Sequence, residues 1–162
     1  MKLSNLNEWL SLIANVGVLV GLVFIVIELQ QNSSMIRSQT RDSMTEKQLG
    51  FYSLVIENPV AAEVLSKSRL EGFEYQPGQV EYTRFAFLVF SQFRMWENEF
   101  YQYNQGLFDA PEFESRIEVM KQNLANIGYV ELWKQQENTF SPSFREFLNQ
   151  LIIDTSSIMS GQ

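Results

Sequence analysis

The longest uninterrupted apolar pattern in the chain runs from Trp9 to Ile27, WLSLIANVGVLVGLVFIVI, and contains no charged residue. At about 1.5 Å per residue, a helix of this length crosses a hydrocarbon core of roughly 30 Å. The pattern predicts a single N-terminal transmembrane helix, with Trp9 at one interface and the polar Glu28–Asn32 stretch at the other. A core helix of a soluble protein seldom has such a run without charge. A secretory signal would have a shorter apolar region, a basic start and a small-x-small cleavage site. Here the run ends in Glu-Leu-Gln-Gln-Asn, which reads as a retained anchor over residues 1–28 followed by a helical soluble domain over 29–162.

Beyond the anchor the apolar positions recur at helical spacing, and no stretch alternates as a strand would. No Gly or Pro intervenes before Gly50, so the first helix is expected to continue as a rod toward Glu57. Asn58-Pro59 supplies a cap and a first-turn proline for a helix over Ala61 to Leu70, stopped by Gly72 and followed by a loop from Phe73 to Gln79. From Val80 to Asn104, the residues Tyr82, Ala86, Val89, Phe93, Trp96, Phe100 and Tyr103 form one apolar stripe, which marks the central helix of the core. Asp109 and Pro111 open a helix expected to run to Ile127 and stop at Gly128, and a short helix over Val130 to Gln136 follows. In Ser141-Pro142-Ser143 either serine is a candidate cap, Ser143 and Glu146 having capping-box spacing, and the tail after Asp154 reads as frayed. The fold class is therefore all-α: one membrane helix continuing into a cytoplasmic bundle of about five helices.

Charge narrows the partners. The chain has 12 Lys and Arg against 19 Asp and Glu, a net charge of −7, and Lys2 and Glu8 are the only charges before Glu28. Nucleic acid and anionic headgroups repel such a surface, since binding either relies on neutralising phosphate with Lys and Arg. Around the anchor, Lys2 alone stands on the N-terminal side, while Arg37, Arg41 and Lys47 lie within about 20 residues of the other end, which orients the domain toward the cytoplasm.

Cysteine and histidine are both absent, removing disulfides, thiolate and Ser-His catalysis, and the commonest metal ligand. The sequence offers no nucleotide-binding glycine loop, no metal motif and no catalytic residue, so neither a cofactor nor a metal is expected. Glu114 and Glu118 share a helix face that reads as solvated. Arg94 and Glu97 read as an ion pair at the edge of the core or, alternatively, as a ligand-contacting site in which a buried Glu97 would have a raised pKa. The aromatics Phe85, Phe87, Phe90, Phe93, Trp96, Phe100, Tyr101 and Tyr103 are expected to be core, the alternative being the lining of an apolar pocket. Asn32-Ser33-Ser34 has the form of a glycosylation acceptor but lies almost against the membrane.

The most specific signal lies within the anchor. Gly17 and Gly21 form a GxxxG pair extended by Ala14, which permits close approach of two backbones. Ser11 and Asn15 form a polar stripe centred roughly 100° away around the helix. Asn15 in lipid needs a partner, which identical subunits would provide. A dimer needs one seam, whereas a helix in a ring touches two neighbours or faces a lumen.

The apolar anchor, the ELQQNSSMIRSQTRD exit, ENPVAAEVL, the RFAFLVFSQFRMWENEFYQYNQGL helix and the late W-then-SPSF-REFL segment together resemble a widespread group of uncharacterised bacterial proteins. The resemblance rests on layout and on residues such as Asn58, Pro59, Arg94, Trp96, Glu97, Gly106 and Trp133. It implies a single-pass bacterial inner-membrane protein with a helical domain, and it transfers no catalytic residue. The functional expectation is a non-enzymatic, homo-oligomeric scaffold, sensor or docking module whose partners are the bilayer, identical subunits and an unidentified protein. The alternative is a ring-shaped pore formed by the anchor helices, and a third reading, an enzyme using Glu97 with Arg94, is the weakest.

Overall fold

The computed structural model describes residues 3–70 and 76–160 and is helical nearly throughout, with no strand among the described residues. Among the described residues six α-helices follow in order: α1 (Leu3–Glu57), α2 (Pro59–Leu70), α3 (Val80–Asn104), α4 (Ala110–Leu124), α5 (Ile127–Gln136) and α6 (Pro142–Ser160), with a 3-10 turn over Glu137–Thr139 before α6. The chain divides by packing into two units, Met1–Gln39 and Thr40–Gln162.

In the first unit every described side chain from Leu6 to Gln39 is exposed. Its helix is long and apolar enough to cross a membrane, and none of its apolar stretch is buried by the chain itself.

The second unit is built around α3, which packs against α2, α4, α5 and α6. The predicted stripe supplies the reason: Val89, Phe93 and Trp96 are fully buried, and Phe93 meets Trp96, Tyr129, Trp133 and Phe140 edge-on with ring centroids 5.2 to 6.2 Å apart. Such edge-to-face pairs add about 0.5 to 1.5 kcal/mol each beyond the burial of area. Three members of the aromatic set are exposed instead: Phe87 is 68% and Tyr101 57% exposed, and Tyr103, in the last turn of α3, is 37% exposed. Met44 is the first buried side chain among the described residues, in the last part of α1.

Asn58 caps α2, its Oδ1 accepting from the amides of Val60 and Ala61 at 3.1 and 3.2 Å, with Pro59 at the first helical position. Gly72 and residues 73–75 of the predicted loop lie outside the described residues. The chain leaves α3 through Gly106 at φ +68°, a left-handed conformation that a Cβ disfavours. It reverses there so that Tyr103 stacks on Phe113 of α4 at 4.3 Å.

Three local expectations are corrected. The helix opened by Asp109 ends at Leu124, not Ile127, and Gly128 lies inside α5. Asn126 makes the break: its side chain accepts from the Gly128 amide at 2.9 Å and starts a new helix. Ser143 falls inside the first turn of α6, so the Ser143–Glu146 box does not form; the Ser141 carbonyl opens the ladder by accepting from Arg145. The segment after Asp154 is helical to Ser160, since Thr155 is buried and its hydroxyl donates to the Leu151 carbonyl at 2.7 Å.

Candidate functional site

Three polar constellations emerge in the second unit. Arg94 and Glu97, one turn apart on α3, are joined at 2.8 Å. Both reach beyond the pair: Arg94 Nη2 donates to the Thr139 carbonyl at 3.0 Å, and the guanidinium lies 4.0 Å from the centre of the Phe140 ring. Glu97 Oε1 accepts from the Ser141 amide at 2.8 Å. Partial burial alone would push the Glu97 pKa up, but the Ser141 hydrogen bond and Arg94 hold it below the ordinary carboxylate range. The raised value considered for a buried Glu97 is therefore reversed, because donors from the chain itself satisfy the carboxylate. The pair clamps the turn over Glu137–Ser141 to α3.

The second constellation was not legible in advance. Glu99 is 2% exposed, and both of its oxygens accept from Arg116 Nε at 3.1 Å. Gln48 Nε2 of α1 adds a donor at 2.8 Å. These residues come from three helices, so no spacing within one helix announces them. Glu114 and Glu118 of α4 are exposed, and Glu118 pairs with Lys121 at 2.7 Å.

The third is an open cleft, also unanticipated. One part, of about 610 Å³, is walled by the end of α1, α2, α3, α4 and Tyr129 of α5; a second, of about 520 Å³, lies among α2, α4 and α5. The two share Arg69, Gln122, Asn123 and Tyr129, and Arg69 is the only charged residue among the described residues lining either part. Two amides set this wall, Asn123 buried and Asn126 half-buried. Asn123 accepts from Arg69 Nη2 at 3.3 Å while its own Nδ2 donates to the Val119 carbonyl at 2.8 Å. Asn126 Nδ2 donates to the Ser68 carbonyl at 2.9 Å and so ties α2 to the start of α5. The Tyr129 hydroxyl donates to Gln92 at 2.6 Å, and burial pushes its pKa up to about 12 against the opposing pull of Arg69. A helical register search could have found Asn123 and Asn126 only as polar residues at an α4 end that the sequence placed too late.

In the first unit, Ser11, Ala14, Asn15, Gly17 and Gly21 are all exposed. A Cβ added to Gly17 or Gly21 would meet nothing within 4 Å. Among those residues no group of three or more Asp and Glu is placed to hold a metal ion. No family model matches the chain, and comparisons with curated proteins and with solved structures return no match.

Proposed function

We propose that the protein is a single-pass membrane protein whose helical domain acts without catalysis as a scaffold, sensor or docking module, brought together with identical subunits through its anchor. The observation that carries this reading is the uncovered apolar surface of Trp9–Ile27, where Ile13 is 63% and Phe24 67% exposed. At roughly 25 cal/mol per Å² of apolar area, leaving such a stretch in water is strongly unfavourable, and lipid relieves the cost. The helix continues past Glu28 without a break, which supports an anchor over a removable leader.

Self-association is supported by the open Gly17 and Gly21 face and by Asn15, whose amide in lipid needs a partner. The bacterial inner membrane follows from the resemblance of the sequence, and a cytoplasmic domain from the excess of Arg and Lys after the anchor. A ring with a water-filled axis lined by Asn15 and Ser11 is the second reading, favoured by the separation of the polar and glycine faces.

Fractionation tests the anchor: the chain should remain with membranes through high salt and alkaline carbonate. Release by salt alone would refute it. External protease on intact cells should spare the domain, and digestion would reverse the orientation.

A further inference from the structure

We propose that the cleft around Arg69 binds a small organic monocarboxylate with an apolar or aromatic body. The proposal concerns the Thr40–Gln162 unit alone and does not rest on the anchor.

The polar end of the cleft is prepared for a carboxylate. Arg69 offers a planar fork of five N–H donors, of which one engages Asn123 among the described residues. Asn123 is itself buried and fixed by Val119, so the guanidinium is steered by a rigid amide. Gln122 stands beside it on the same wall as a further amide donor. Arginine matches carboxylate geometry with two parallel hydrogen bonds.

Charge selects a monoanion. One guanidinium is the whole formal charge of the described lining, and the chain carries a net charge of −7. A dianion such as phosphate would bring a second negative charge that nothing on this wall compensates.

The other end is apolar. Phe51, Val55 and Leu65 form half-buried walls, and Tyr52 and Ile56 stand exposed at the rim. A volume of about 610 Å³ lies within the range of small-molecule sites, which combine apolar walls with a few polar groups. Tyr129 closes the floor, its hydroxyl already engaged by Gln92.

The test is isothermal titration calorimetry on the full chain in nanodiscs, with 4-phenylbutyrate as probe and the heat of empty nanodiscs subtracted. One saturable site per chain is expected. The neutral isostere 4-phenylbutyramide should bind at least about tenfold more weakly, since it cannot form the charge-assisted pair. Arg69→Met should weaken the acid by a similar factor. Ser66→Trp, which alters an exposed lining residue and keeps the cation, should abolish binding by filling the cleft, and it decides the matter if Arg69→Met does not fold. Absence of saturable heat would overturn the proposal. So would equal binding of acid and amide, tighter binding of inorganic phosphate, unchanged binding by a folded Arg69→Met, or unchanged binding by Ser66→Trp.

Discussion

The two fully buried tryptophans of the core show how much depends on what one indole nitrogen meets. Trp133 Nε1 donates to Asn149 at 2.7 Å, whereas Trp96 Nε1 is buried without a hydrogen-bond partner among the described residues. Replacing either by Phe removes similar apolar volume, but the polar consequences are opposite. Trp133→Phe leaves Asn149 short of a donor, while Trp96→Phe deletes an unmet one. A buried unsatisfied group costs about 1 to 3 kcal/mol, so Trp133→Phe should destabilise more than Trp96→Phe by a difference of that order in urea unfolding. Equal losses would mean that Trp96 finds a partner in solution. Tyr129 yields a second outcome at this scale. Its folded pKa of about 12 exceeds the ordinary phenol value, so the unfolded chain releases the proton first as pH rises. The stability it contributes is complete below about pH 10 and declines as pH climbs through 12, by roughly 2 to 3 kcal/mol in all. Tyr129→Phe should be less sensitive to alkali than the parent by that amount. Identical alkaline profiles would show that the phenol is hydrated.

At the scale of elements, capping decided where the sequence was readable. Asn58-Pro59 announces α2 because the cap and the proline occupy consecutive positions, and the stripe from Tyr82 to Tyr103 announces α3 because apolar side chains repeat along its length. The α4–α5 junction was misread because Gly128 resembles a stop, while the operative signal was the Asn126 side chain turned onto the Gly128 backbone. Since Asn126 also holds the Ser68 carbonyl, Asn126→Ala should cost about 1 to 2 kcal/mol, the upper part of the range for a lost cap. A change within a few tenths, measured by denaturant midpoint, would leave the junction to packing alone. The start of α6 depends on Glu97 from another helix, a contact no local pattern encodes. Because the Glu97 pKa is depressed on folding, its contribution is present above the ordinary carboxylate range of about 4.3 and is lost as pH falls through the lower folded value. The stability gap between the parent and Glu97→Gln should hold at neutral pH and close in acid. The Arg69 cleft was invisible for the same reason as Glu99 and Arg116: its residues lie on several helices, and only packing assembles them.

For the whole molecule, the proposed self-association is assigned to the N-terminal apolar helix. The Gly17–Gly21 face and the Asn15–Ser11 stripe point in different directions around one helix, so a single two-fold seam cannot use both. If the anchors close into a ring, each helix presents the glycine face to one neighbour and the polar stripe to the other neighbour or the axis. Gly17→Leu or Gly21→Leu then places a branched side chain where a Cβ now meets open space and keeps backbones apart. In such a ring Asn15→Leu would remove an interhelical hydrogen bond of about 0.6 to 2 kcal/mol. Because each loss repeats at every interface of a closed ring, modest terms accumulate, and each variant should shift the complex to a smaller species by native mass spectrometry in mild detergent. In a conducting ring, Asn15→Leu should also reduce ion flux across a reconstituted bilayer by drying the axis, whereas the glycine variants would reduce it only through disassembly. A dimer would respond to one face and ignore the other. If all three variants keep the mass of the parent, the small and polar residues of the anchor carry no association, and both the ring and the pore must be given up.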